Sequence, residues 1–267
     1  MHRVTWKVPG LVAACVLLMI PAVAAGQESW PPPEAAAPEP LSINCGGGVY
    51  SVGAGATLFS LCVSDHGNMV SLMYPNGAEH IAVAPIHESY SICHGPGSGI
   101  WYYDWASFEG GFGPPIFLDP APFPVIIRRT TLDGKVILDQ KFTPNKARRE
   151  MLISMTIRNN SPAALENVLV ARNVDADMDG DALDDTFDRS TDQTWARDIR
   201  SLVLSAHTVG TPHSTAVPVT IGSGPCSSTT AVTPTSPGTD YHMRIWYTLG
   251  TIGVGKSKTV MFRYNGS

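Results

Sequence analysis

From Glu150 to Arg158 the chain reads EMLISMTIR, with Met151, Ile153, Met155 and Ile157 on one side and Ser154, Thr156 and Arg158 on the other. A period of two fits a strand half-buried against a second layer; helical apolar residues recur every three or four positions. Similar short β-branched and aromatic runs, bounded by Gly, Pro, Asn and Asp, occupy 57–64, 68–73, 80–84, 90–93, 100–103, 125–131, 135–142, 166–174, 201–206, 216–221, 241–249 and 257–264. Pro75-Asn76-Gly77 and Asp133-Gly134 supply hairpin turns, and Asn159-Asn160-Ser161-Pro162 closes another strand. The expected class is all-β, a large antiparallel β-sandwich, either one unit or two smaller sandwiches in series. The Gly- and Pro-rich stretch 104–124 is expected to be a long loop between sheets, and is where an internal division would fall.

The chain opens like a signal peptide over residues 1–24: Arg3 and Lys7, an apolar run from Leu11 to Val23, then Ala22-Val23-Ala24 as the small-x-small cleavage pattern. That run is short for a membrane span, which needs about 20 residues, although an uncleaved anchor is the alternative reading. No later segment is long and apolar enough to span a bilayer. Residues 25–41, which include QESWPPPEAAAPEP, are too rich in Pro, Ala and Glu to bury a core and read as a disordered spacer. The folded unit is expected over 42–267, in a secreted, periplasmic or cell-surface protein. Cys45, Cys62, Cys93 and Cys226 remain in the exported part, and four cysteines allow three pairings. Pairing Cys45 with Cys62 closes a short loop and leaves Cys93 with Cys226 as a long-range tie; free buried thiols are the alternative.

Charge is placed unevenly. No Lys or Arg occurs between Pro9 and Ile127, a stretch holding nine Asp or Glu. A nucleic-acid partner is excluded, because phosphate contacts need Lys and Arg. The pairs Arg128-Arg129 and Arg148-Arg149 are expected on exposed strand ends facing the acidic half.

Eight aspartates fall between Asp175 and Asp192 in DADMDGDALDDTFDRSTD. Counted from Asp177, acidic residues take loop positions one, three, five, nine and twelve: Asp177, Asp179, Asp181, Asp185 and Asp188, with the Leu183 carbonyl at position seven. Counting from Asp175 places Gly180 at the sharp turn but puts Thr186 at the closing position. The first register offers more ligands and is preferred, since ligand charge sets affinity for a hard cation. The pattern resembles the calcium loops of thrombospondin type 3 repeats, with Ala182 where glycine is usual and Asp188 where a longer Glu is usual. That resemblance implies a bound Ca²⁺ stapling the loop. A solvated acidic turn paired with Arg172, Arg189 or Arg197 is the alternative.

Ile100-Trp101-Tyr102-Tyr103-Asp104-Trp105 is the aromatic high point. Trp101, Tyr103 and Trp105 are candidates for stacking on sugar rings, against the commoner outcome of core filling. Glu79, Glu88, Asp104 and Glu109 are carboxylates from which a glycosidase pair could be drawn, and mutarotase-like chemistry would want a His with a Glu. His66, His80, His87, His94, His207, His213 and His242 are available, none in a recognisable motif. The segments MLISMTIRNNSPAALENVLVARNVD and YTLGTIGVGKSKTVMFRY resemble Ig-like sandwich domains of bacterial surface proteins, and the whole resembles the super-sandwich folds found beside carbohydrate-active enzymes. The reading is an exported, calcium-stabilised binding or structural module for carbohydrate or a surface protein, more a binder than an enzyme. Its alternative is a mutarotase- or glycosidase-like enzyme on a super-sandwich scaffold.

Overall fold

The computed structural model describes residues 44–75, 77–81, 88–105, 108–178, 184–219, 226 and 241–266. The expected signal peptide and spacer lie outside the described residues. In chain order the strands begin with β1 (Gly48–Val52), β2 (Phe59–Val63), β3 (Met69–Met73), β4 (Glu88–His94), β5 (Ile100–Trp105) and β6 (Phe108–Gly110). Next come β7 (Ile116–Asp119), β8 (Val125–Thr130), β9 (Val136–Asn145), β10 (Glu150–Asn159) and β11 (Leu165–Asp175). The last are β12 (Thr186–Arg189), β13 (Gln193–Arg197), β14 (Ser201–Ala206), β15 (His213–Val219), β16 (His242–Ile252) and β17 (Ser257–Gly266).

Three sheets result, with orders β1-β2-β3, β12-β13-β14-β17-β10-β9-β8-β7 and β15-β16-β11-β4-β5-β6. The two larger ones stack face to face, and every strand pair in them is antiparallel. The class is therefore the expected antiparallel sandwich. The stretch 104–124 is not one loop, since it carries β6 and β7. Strands from either side of it share the six-stranded sheet, where β4 pairs with β11.

The core arises from strand alternation. Met151, Ile153, Met155 and Ile157 of β10 are fully buried and meet Phe262 and Val260 of β17 on one side and Phe142 and Leu138 of β9 on the other. Tyr90, Ile92, Val170, Val174, Ile245 and Tyr247 close over them from the six-stranded sheet, in one continuous cluster. The Asp133-Gly134 turn joins β8 to β9, with Gly134 at φ 69° and its N–H donating to Thr131 O at 2.8 Å.

Both disulfides of the short-loop arrangement are formed: Cys45–Cys62, Cα–Cα 5.3 Å, and Cys93–Cys226, Cα–Cα 6.2 Å. Disulfides persist in oxidising compartments, which indicates an environment outside the cytoplasm. Among the described residues no helix is long and apolar enough to cross a membrane.

Candidate acid–base site

The inward face of a sandwich strand is normally apolar. Four strands here break that rule at neighbouring positions. On β8, Val125 and Ile127 are followed by buried Arg129; on β5, buried Tyr102 is followed by buried Asp104. On β11, Arg172 sits between Val170 and Val174, and on β9, Gln140 sits between Leu138 and Phe142. Antiparallel pairing puts Glu109 of β6 directly across from Asp104, on the same face.

A tight turn between β2 and β3 closes over this polar seam. Ser64 N–H donates to Asn68 O at 2.8 Å and Gly67 N–H to Ser64 O at 3.1 Å. Gly67 has φ +89°, and a Cβ there would collide with the Gln140 amide, so glycine is required twice over. The turn backbone is clamped from below. Tyr90 hydroxyl donates to His66 O at 2.9 Å, Gln140 Nε2 to the same oxygen at 3.3 Å, and Arg172 Nη2 to Gly67 O at 3.0 Å. Arg172 also forms two hydrogen bonds to Glu88, at 2.6 and 2.8 Å, with Tyr264 hydroxyl donating to Glu88 at 2.7 Å. Glu88 and Arg172 thus belong to a buried support, and the Glu88 carboxylate is committed to it.

With the turn fixed, His66 Nδ1 lies 3.2 Å from Asp104 Oδ2 and 3.5 Å from Glu109 Oε2. Asn68 Nδ2 donates to Asp104 Oδ1 at 2.6 Å, and Arg129 Nη1 to Asp104 Oδ2 at 2.6 Å. Arg129 Nη2 donates to Glu109 Oε2, and its Nε to Gly113 O at 2.8 Å. The Asp104 and Arg129 side chains are wholly buried, while His66 is 19% and Glu109 23% exposed, so only the second pair reaches solvent.

The electrostatics divide the carboxylates. Burial pushes Glu109 up to about 7, the adjacent Asp104 charge adds to this, and Arg129 offsets part of it. Burial also acts to raise Asp104, but the His66 hydrogen bond and the Arg129 charge outweigh it and hold that carboxyl below its usual range. Burial works against a charged His66, yet the hydrogen bond and charge of Asp104 win and raise its pKa.

His66, Asp104 and Glu109 offer ligand atoms within 4.8 Å of one another, close enough in principle for a metal. The fit is poor, because Arg129 already donates to Asp104 Oδ2 and Glu109 Oε2 and its own charge would repel a cation there. Proton transfer is the chemistry this set can perform.

The other expected residues lie elsewhere. Trp101, Tyr103 and Trp105 do share one face of β5, but it is the outer face, opposite Asp104; Trp105 is 1% exposed and the other two are half-buried against it. Glu79 accepts from Ser71 Oγ and from the N–H groups of Leu72, His80 and Ile81, which makes it a turn cap. Of the calcium set, Asp179, Asp181 and Leu183 lie outside the described residues. Asp185 is buried and accepts from Met178 N–H at 3.1 Å, Asp177 is half-buried, and Asp188 lies on β12, where it accepts from Arg189 N–H. Arg172 pairs with Glu88 and not with this stretch. The expectation that Arg128-Arg129 sits on an exposed strand end fails for Arg129, which is buried because strand parity turns it inward. Arg128, pointing outward, forms two bonds to Asp139 at 2.6 and 2.7 Å.

No protein-family model matches this chain, and no curated protein matches its sequence. Solved structures do resemble it. A galactose mutarotase related enzyme from Lactobacillus acidophilus superposes with a TM-score of 0.50 at 9% identity, over 82% of this chain and 97% of that one. The likeness is one of fold. A bacterial glucoamylase complexed with acarbose (TM-score 0.49, 9% identity) matches over 85% of this chain and 32% of its own. A heparan sulfate lyase mutant from Pedobacter heparinus (TM-score 0.49, 8% identity) matches over 87% of this chain and 37% of its own.

Proposed function

We propose that this protein is an extracytoplasmic carbohydrate-acting enzyme of the aldose epimerase type, with Glu109 as general base and His66 as general acid. The observation that carries the reading is a solvent-reaching carboxyl held at about 7 beside a histidine whose pKa is raised, above a buried Asp104–Arg129 pair. In the step, Glu109 takes the proton of the anomeric hydroxyl, the bond from C1 to the ring oxygen breaks, and His66 protonates that oxygen. Rotation about C1–C2 and the reverse transfer close the other anomer. The two oxygens sit on one carbon, so acid and base side by side can serve both. His66 Nδ1 is committed to Asp104, which orients the ring and leaves Nε2 as the donor atom.

Glycoside hydrolysis is less well supported. It needs carboxyl groups roughly 5–9 Å apart flanking the scissile bond. Asp104 and Glu109 are closer than that and are joined by Arg129. The likeness of fold to a galactose mutarotase related enzyme supports the enzyme reading over the binding-module one.

The test is polarimetry on freshly dissolved α-D-glucose and α-D-galactose. Glu109→Gln should slow catalysed mutarotation by roughly 10²–10⁴-fold. Glu109 works ionised, so the rate should rise with pH through about 7. His66 works protonated, so the rate should fall again as pH climbs through its raised pKa. Wild-type rates no faster than buffer on these and other aldoses would remove the proposal. We also infer that the Asp177–Asp188 stretch holds a structural Ca²⁺, a reading supported by the alternating carboxylates Asp177, Asp179, Asp181, Asp185 and Asp188.

A further inference from the structure

We propose that the Cys45–Cys62 disulfide and the glycine strap beside it position His66, so that the acid–base site is complete only while this pair is oxidised; the consequence for turnover rests on the reading above. Cys62 lies in β2, shortly before the turn that carries His66. Its partner begins the run Cys45-Gly46-Gly47-Gly48, which leads into β1. Gly47 N–H donates to Val63 O at 3.0 Å and Gly48 N–H to Cys45 O at 2.9 Å. The strap therefore runs alongside Val63, Ser64 and Asp65, the residues by which the chain enters the turn.

Only glycine permits so close an approach. A Cβ on Gly47 would sit 2.3 Å from Ser64 O and 2.9 Å from Val63 O, and one on Gly46 would sit 2.8 Å from Asp65 Cβ. Ser64 is what the strap has to hold still. Its Oγ accepts from Asn68 N–H at 3.0 Å, and Asn68 in turn holds Asp104. The turn is thus gripped from two sides: Tyr90, Gln140 and Arg172 bind the His66 and Gly67 carbonyls, and the strap fixes the entry.

Glycine loses more backbone freedom on folding than any other residue, so a three-glycine segment stays in place only if something offsets that loss. Strand β1 contributes little, since it is an edge strand in which only Gly48 is buried and Val49 is 61% exposed. The disulfide supplies the constraint by closing the chain between Cys45 and Cys62. It is also the more accessible of the two disulfides: Cys45 is exposed, whereas Cys93 is wholly buried. A dithiol therefore attacks it first. Reduction breaks one S–S bond, places two electrons and two protons on Cys45 and Cys62 as thiols, and leaves the dithiol as its own disulfide. The strap then frays from Ser64 and Asp65, and His66 loses its fixed distance to Asp104.

Proton NMR titration of the His66 ring, assigned with His66→Gln, tests this together with polarimetric kinetics on the same samples. The wild-type ring should titrate above the ordinary histidine range. In Cys45→Ala/Cys62→Ala, and in the wild type after mild dithiothreitol, it should return towards about 6.5. The kcat for mutarotation should fall roughly tenfold to a hundredfold, with KM little changed. Gly47→Ala keeps both disulfides but drives the strap off Ser64 O, and should show the same two losses. A His66 titration unchanged from wild type in either folded variant overturns the positioning, as does a wild-type ring with no shift to lose. A wild type that turns over no aldose, yet loses the His66 shift on reduction, overturns the acid–base reading and leaves the positioning standing.

Discussion

Arg129 joins the two larger sheets of this protein through a single guanidinium. It rises from β8 and donates to Asp104 and Glu109 on β5 and β6, and with the His66 hydrogen bond its charge lets Asp104 stay ionised without contact with water. Replacing it with methionine fills similar volume but leaves Asp104 as an uncompensated buried carboxylate. Removing one partner of such a pair costs about 3–5 kcal/mol. Urea unfolding of Arg129→Met near neutral pH should show that loss; a stability equal to wild type would mean that Asp104 is neutral in the fold. The alternation Val125, Ile127, Arg129 carries the signal of a charge at an inward position, although the doublet Arg128-Arg129 was expected on an exposed strand end. Arg172 between Val170 and Val174 gives the same signal. Parity identifies such residues as buried but is silent about their partners: Arg172 meets Glu88 84 residues away.

At the scale of elements, strands with strong alternation were legible, and those without it were not. The runs at 150–158 and 201–206 correspond to β10 and β14 within a residue. The three-residue β6 is too short, and the exposed β7 and the polar β12 have too few buried positions, to show a period of two, while β13 alternates only through the small Thr194 and Ala196. The β2–β3 turn illustrates a different limit. Its glycine and polar residues mark a turn in any sequence, but only its docking on Tyr90, Gln140 and Arg172 makes His66 part of a site. The aspartate stretch after β11 belongs to this scale too. Calcium should raise the melting temperature and EDTA reverse it, and Asp177→Ala should abolish the response, since an ion bound only to the folded state stabilises it by mass action. An identical melting curve with millimolar calcium and with EDTA would rule out a folding ion there.

For the whole molecule, chain order and spatial order part company. The six-stranded sheet joins a block of β4, β5 and β6 to a block of β11, β15 and β16 through the β4–β11 pair, so neither half of the sequence can complete it alone. Cys93–Cys226 spans 133 residues across this junction and anchors the central strand β4. Constraining so long a loop in the unfolded chain is worth about 2–5 kcal/mol. The double variant Cys93→Ala with Cys226→Ala should lose stability in that range by guanidinium unfolding; no change would mean that the tie is redundant with the sheet. The sequence by itself determined the class of structure, the four cysteines to be paired and the residue types available for acid–base work, since strand alternation, cysteine number and side-chain chemistry are local properties. Only the tertiary structure decided which histidine meets which carboxylate and which arginine, because His66, Asp104, Glu109 and Arg129 come from three sheets whose register is set by packing the whole core.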